Sequence, residues 1–360
     1  MKNGLLICSG TGKTKNIGDY IQSLAQKQFL DTVDCYVERE KMDEFESDEK
    51  VNVIMNGWFM RHPEKFPPST AINPLFVSFH IVPRNAFRLL KPQVVDYLKR
   101  FQPIGTRDTG TCDLLREHGI ESYFSGCLTL TLGLNYHSEE KDDKVYFVDP
   151  YYELGNGEEQ SFLFRLLTAI YRYFLYRKKV AHFIDSFVCE FRSPVSKLSE
   201  KWDKKLMIAS FYHTYSSIFT NEILYNAVYV THKAKQSAFK DDDEKLNYAE
   251  DLLKKYAKAK FVVTSRIHCA LPCLGIETPV LFVTSSKLEG DSLRSAGRFG
   301  GIIDFLHVLR WTPKGIRNCS SLIISEEEKM SERTCFQNKD NYVKYKLELI
   351  HRVREFLQRS

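Results

Sequence analysis

The sequence predicts an α/β protein built on a doubly wound, mostly parallel sheet. Through the first 130 residues, short apolar runs alternate with stretches whose apolar residues recur every three or four positions. The same alternation returns between residues 245 and 283, in the clearest helix–strand–helix–strand unit of the chain. Hydrophobic residues make up 43% of the 360, enough for a sizeable core and, at about 150 residues per domain, for about two domains. That composition excludes a disordered chain and a small disulfide scaffold.

In chain order, Leu5–Cys8, Val33–Val37, Val51–Met55, Pro74–Phe79 and Ser122–Phe124 read as buried strands, with helices at Ile17–Phe29 and Gln93–Phe101. The charged run 137–144 precedes a strand at Val145–Val148. We take it as a boundary between units 1–140 and 141–335, with 336–360 as a terminal helix segment; an ordinary solvated loop is the alternative. Beyond it, Phe162–Tyr176 is a long aromatic helix, and Leu206–Ser210 and Ala227–Val230 are strand-like. A helix at Lys245–Tyr256, a strand at Phe261–Thr264, a helix at Ile267–Leu274 and a strand at Val280–Val283 follow. Gly275 stands where a helix C-cap is expected, and Pro279 restarts extended chain. Asn341–Leu357 is a charged amphipathic helix.

The 51 basic and 46 acidic side chains leave a formal charge of +5. That surplus suits anionic small molecules or an anionic membrane and is too weak for nucleic acid. Nine cysteines, odd in number and without regular spacing, point to a reducing cytosol. The opening run Met1–Cys8 is too short for a signal peptide, and no stretch approaches the roughly 18 apolar residues of a membrane span. A cytoplasmic protein is expected.

Gly10-Thr11-Gly12-Lys13-Thr14 resembles a phosphate loop but has Ile7 where that motif requires glycine, so a nucleoside triphosphatase is rejected. What remains is a glycine-rich turn leading to Asn16, Gly18 and Asp19 at a helix start, where Asp19 either caps the helix or faces a neutral hydroxyl. Arg107, at the end of a strand, either contacts ligand or pairs with Asp108. Phe261–His268 is the sharpest signal: a strand delivers Ser265 as N-cap, placing Arg266 and His268 in the first helical turn. The helix dipole and free N–H groups there favour an anion, and a histidine beside it can serve as a general acid. A core histidine is the other reading. Arg294 and Arg298, on a glycine-rich loop, suit a phosphate or carboxylate clamp or a solvent-facing loop.

Cys269 and Cys273 lack further ligands nearby and read as buried small residues; Asp241–Asp243 reads as a solvated helix start. No metal site is predicted. The aromatic helix Phe162–Tyr176, followed by Arg177-Lys178-Lys179, is either a core helix with a basic end or a contact with a membrane surface.

Taken in order, these residues resemble the polysaccharide pyruvyl transferase superfamily. The resemblance rests on Asn16-Ile17-Gly18-Asp19, Asn56-Gly57-Trp58, Gly105-Thr106-Arg107-Asp108 and Thr264-Ser265-Arg266-Ile267-His268, then Leu271, Gly275 and Pro279-Val280. The segment from Phe124 through Gly126-Cys127 also resembles one branch of it. The resemblance implies two Rossmann-like domains facing a cleft, as in GT-B glycosyltransferases. It implies transfer of a pyruvyl group from phosphoenolpyruvate to sugar hydroxyls as a ketal, in exopolysaccharide or lipid-linked glycan biosynthesis, without cofactor or metal. Arg266 and His268 would then be catalytic, and Ser265, Arg107, Arg294 and Arg298 would bind donor. Asn16, Asp19, Asn56 and Trp58 would bind acceptor. Cys269 departs from the glycine frequent after the histidine. A nucleotide-sugar glycosyltransferase and a non-catalytic partner in a polysaccharide assembly are the competing readings.

Overall fold

The computed structural model describes residues 1–9, 14–188, 199–285, 299–319, 322 and 329–359. Its sheets are largely parallel. In the first half, strands Cys35–Glu38, Lys2–Ile7, Val51–Ile54 and Ile72–Leu75 lie side by side in that order. A second set, Gly57–Phe59, Phe79–Ile81, Ile104–Thr106 and Ser122–Phe124, is also parallel. The sets are continuous at their junction, because Met55 N–H donates to Leu75 O and Gly57 N–H to Ser78 O. The single strand expected at Pro74–Phe79 is broken there. Ser78 turns at φ +55°, and its N–H is taken by Ser125 Oγ at 3.0 Å.

The second half repeats the arrangement. Its sheet runs Val228–Val230, Val145–Val148, Phe261–Thr264, Val280–Thr284, His307–Thr312 and Gly315–Asn318, parallel but for the last hairpin. In each half the chain starts in an inner strand, adds one neighbour, then crosses to the other side. The strand order thus reverses between the first strand and the one beyond the crossover, and open α/β sheets place ligands outside the carboxyl ends of the strands at such a point.

The helix Ile17–Lys27 joins the halves. Asn16 caps it by accepting from Gly18 N–H at 3.3 Å, and Ile17, Tyr20, Ile21, Leu24 and Ala25 form its buried stripe. That stripe lies in one apolar cluster with Leu5 and Ile7 of the first sheet and Leu253, Val262, Ile267 and Leu271 of the second. A ribbon of Thr14–Asn16 against Lys233–Lys235 adds to the junction. Asp242 does too, accepting from Tyr20 Oη at 2.6 Å and Ser9 Oγ at 2.8 Å. Asp242, expected at a solvated helix start, is thus half-buried between the two halves. The terminal helix Val343–Gln358 returns to the first half, where Arg352 lies 4.2 Å from the Tyr123 ring.

Three further local expectations change. Leu206–Ser210 belongs to the helix Glu200–Tyr215, capped by Ser199 Oγ, which accepts from Trp202 N–H at 3.2 Å. Its residues 206–212 are all buried, so the run shows no helical periodicity and mimics a buried strand. Ser265 does not cap the helix Ile267–Gly275: Arg266 holds that position, and Ser265 Oγ donates to Asp149 O at 2.6 Å. Gly275 is not the C-cap either. It lies in the last turn, Ile276 caps, and Glu277 takes the left-handed turn at φ +63°.

Gly275 serves close packing. A Cβ there would lie 2.5 Å from Thr129 O and 2.8 Å from Leu130 O, both backbone atoms that cannot swing aside. Gly275→Ala should therefore destabilise the protein by about 1–3 kcal/mol, as overpacked cores do. Urea denaturation would show a lower midpoint at unchanged slope, and an unchanged midpoint would contradict this packing.

Candidate functional site

Two clusters sit at the two switch points, and the first turn of the helix Ile17–Lys27 touches both. In the second sheet, the strand Val145–Val148 ends at Asp149, whose φ of +41° turns the chain sharply. The buried Asp149 Oδ2 accepts from Arg266 Nε at 2.9 Å and from His232 N–H at 3.0 Å. Its carbonyl is taken by Ser265 Oγ, and Thr264 Oγ1 donates to Val148 O at 2.7 Å. Asp149 Oδ1 is buried with no hydrogen-bond partner among the described residues. One residue thus gathers the ends of three strands and orients the Arg266 guanidinium through Nε.

Arg266 is the N-cap of the helix Ile267–Gly275, and its own side chain makes no capping bond among the described residues. The N-terminus therefore presents the positive end of its dipole beside a guanidinium, an arrangement suited to an anion. Lys233, on the ribbon, adds a second cation. Partial burial, and next the Arg266 charge, hold its ammonium below the usual lysine value, while Asp149 opposes the shift.

His268 departs from helical geometry at φ −81°, ψ 17°. It packs against the first turn of the helix Ile17–Lys27: a Cβ on Gly18 would lie 2.9 Å from His268 Cβ and 3.4 Å from its Nδ1. Only a glycine admits the ring so close. Asn16 and Asp19 flank that glycine, so the predicted acceptor motif and the predicted catalytic histidine meet across the two halves.

The other cluster opens where the first sheet's strands diverge. A small solvent-open depression is lined by Cys8, Asp19, Gln22, Gln26, Arg39 and Asn56 together with Leu6, Ile7 and Ser23. Arg39 is 4% exposed, donates through Nη2 to Cys8 Sγ at 3.0 Å and lies 5.3 Å from the Trp58 ring centroid. Burial works against its charge, but Cys8, Asp19 and Glu40 outweigh that and hold it protonated. Burial also pushes the Cys8 thiol up to about 11. Asn56 is committed internally, accepting from Gln26 Nε2 and donating to Gln22 O at 3.3 Å. Gln22 Nε2 and Trp58 Nε1 are buried without a partner among the described residues.

Arg107 lies elsewhere. It follows the strand Ile104–Thr106 and is 1% exposed, with Nε 3.7 Å from Asp108 Oδ2; burial lowers its pKa. Asp108 caps the helix Thr109–Glu117, accepting from Thr111 N–H at 2.9 Å, and takes His80 Nδ1 at 2.5 Å. Burial resists its ionisation, yet hydrogen bonding and charge from His80, with Arg107, keep its carboxyl below the usual range. Arg294 and Arg298 lie outside the described residues. Gly300 accepts from Thr109 N–H at 3.2 Å, beside the Arg107–Asp108 turn.

Sequence reasoning missed Asp149, His232, Lys233, Gln22 and Arg39. Asp149 carried one usable signal, its place directly after a buried strand. The partners of Gln22 and Arg39 come from separated elements, and no local pattern marks them.

Cys269 and Cys273 are fully buried, as expected of small core residues. Among the described residues, no group of three or more His, Cys, Asp or Glu can hold a metal ion, and no helix is long and apolar enough to cross a membrane.

A family model for polysaccharide pyruvyl transferase matches residues 16–287. No curated protein and no solved structure matches the chain. The matched span takes in Asn16, Asp19, Arg39, Asn56, Asp149 and Ser265–His268. It covers well over half of the 360 residues, and the chain belongs to the polysaccharide pyruvyl transferase family.

Proposed function

We propose that this transferase moves a pyruvyl group from phosphoenolpyruvate to two hydroxyls of a sugar, forming a ketal in surface-polysaccharide or lipid-linked glycan synthesis. The observation that carries the reading is the meeting of Arg266, Lys233 and the N-terminus of the helix Ile267–Gly275 with His268, which packs against Gly18. Family membership supports the group transferred. In this reading the halves act as two Rossmann-like, GT-B-like domains, 1–140 toward the acceptor and 141–335 toward the donor. No metal or cofactor takes part, and the setting is the cytoplasm.

Phosphoenolpyruvate carries a phosphate and a carboxylate, so its site needs fixed cations and backbone donors. Arg266 and the helix N-terminus take one anionic group, with Lys233, Arg294 and Arg298 as further donor-side cations and Ser265 holding the turn, while Arg107, buried against Asp108, is left out of this set. His268 delivers a proton to the methylene carbon, leaving an oxocarbenium-like centre at the adjacent carbon. One sugar hydroxyl adds there and returns its proton to His268. The carbon–oxygen bond to phosphate then breaks, the second hydroxyl closes the ketal, and its proton leaves with the phosphate. Asp19, Asn16, Asn56 and Trp58 surround the acceptor side, with Gln22 and Arg39 beside them. An aromatic face among amide and carboxylate groups suits a polyhydroxylated ring.

Two measurements test this. In thermal-shift titration, phosphoenolpyruvate at about 100 times its dissociation constant should stabilise the protein by about 2.7 kcal/mol, and Arg266→Ala should abolish the response. Stabilisation by UDP or GDP alone would replace the reading with a nucleotide-sugar glycosyltransferase. With a panel of methyl glycosides as acceptors, His268→Ala should slow phosphate release from phosphoenolpyruvate by about 100- to 10,000-fold, the usual worth of a placed general acid. Near-normal turnover in that variant would remove His268 from the mechanism.

A further inference from the structure

The helix Phe162–Val180 has an outward face that neither sheet uses. Its inner side is settled: Ala169 and Val180 are buried, Leu166, Ile170, Tyr173 and Tyr176 pack on the second sheet's core, and Arg172 donates to Gly155 O and Asn156 Oδ1. On the other side, Leu163, Phe164, Leu167, Tyr171, Phe174 and Leu175 are each 50–66% exposed. They recur at three- and four-residue steps, so they form one stripe along the helix. Isolated exposed apolar residues need no explanation; a continuous stripe of large ones marks an interaction surface.

Charge identifies what that surface meets. The helix carries five basic residues and no acidic one, and Arg177, Lys178 and Lys179 fill its last turn. On the neighbouring helix, Lys205 Nζ lies 5.7 Å from the Tyr173 ring and 5.8 Å from that of Trp202. Aromatic and leucine side chains on one face, bordered by lysine and arginine, are what an interfacial helix offers to anionic headgroups. At about 1.5 Å per residue, its 19 residues extend about 28 Å. That is long enough to lie along a bilayer, whereas its five cationic side chains oppose passage through one.

We infer that the outward face of Phe162–Val180 docks the protein on an anionic lipid bilayer, lying in the plane of the interface. The segment that starts at Asp149 in the donor site reaches this helix at Ser161, so docking sets the site's position relative to the membrane. The inference is independent of the donor and of ketal formation, because binding is read without turnover.

The test is sedimentation of the full chain with vesicles of phosphatidylcholine alone and of equal parts phosphatidylcholine and phosphatidylglycerol. The chain should sediment with the anionic vesicles, and added salt should weaken the association. Arg177→Gln with Lys178→Gln should weaken it about 25-fold, at about fivefold per charge. Leu167→Glu with Phe174→Glu should abolish it while thermal melting stays unchanged, since both residues are exposed. Equal sedimentation of wild type and both double variants would overturn the inference. So would failure of the wild type to bind anionic vesicles, or a dimer that Leu167→Glu with Phe174→Glu converts to monomer, which would assign the face to a second copy.

Discussion

The candidate donor site depends on the carboxylate of Asp149. Three strand ends converge there: its own strand supplies the sharp turn, the neighbouring strand supplies the His232 N–H, and the strand beyond the crossover supplies Ser265 and Arg266. Each contact alone is worth about 0.5–3 kcal/mol, the larger figure for bonds to a charged group. Their joint effect is geometric. A guanidinium left to itself samples many rotamers, whereas one bound through Nε to a buried, doubly engaged carboxylate is fixed in direction before any ligand arrives. The ion pair also offsets one positive charge in a site that collects several, which limits the repulsion between Arg266 and Lys233.

The same logic extends across the junction. Ile17 N–H donates to the carbonyl of His232, the residue whose N–H binds Asp149. The start of the helix Ile17–Lys27 is therefore tied by two consecutive hydrogen bonds to the carboxylate that orients Arg266. Gly18 follows at once and packs on His268, and Asp19 faces the first sheet's depression. Two clusters built on different sheets thus share one helical turn. The groups of both clusters are therefore held in place by the same few residues.

How much of this was legible in the sequence follows from how local each signal is. The alternation of strands and helices was readable because each element carries its own periodicity, and the strands Ser122–Phe124 and Phe261–Thr264 stand at their expected bounds. The helix Glu200–Tyr215 was not, since burial on nearly every side erases the polar face that reveals a helix. The cap at Ser265 was misplaced for a different reason. Serine favours N-caps through local bonding, but Asp149 offers its hydroxyl a carbonyl 116 positions away, a partner no local rule sees. Asp242 failed likewise: three consecutive acids look solvated until Tyr20 and Ser9 arrive from the other half. Arg266, His268, Asn16 and Asp19 were singled out because motifs mark them, while Asp149, Gln22 and Arg39 matter only through tertiary partners.

The segment between Asp149 and Ser161 links the site to the aromatic helix by more than chain connectivity. Gly155 takes φ +57°, and its carbonyl accepts from the buried Arg172, while Asn156 Oδ1 accepts from the same guanidinium at 2.8 Å. A Cβ on Gly155 would lie 2.6 Å from Arg165 O, so the loop rests directly on the helix backbone. Burial lowers the Arg172 pKa to about 10, which still leaves the guanidinium charged at neutral pH and the link intact. The helix and the loop that begins at Asp149 are consequently packed and hydrogen-bonded to each other. The fold thereby braces this helix against the loop that leads from the Asp149 turn.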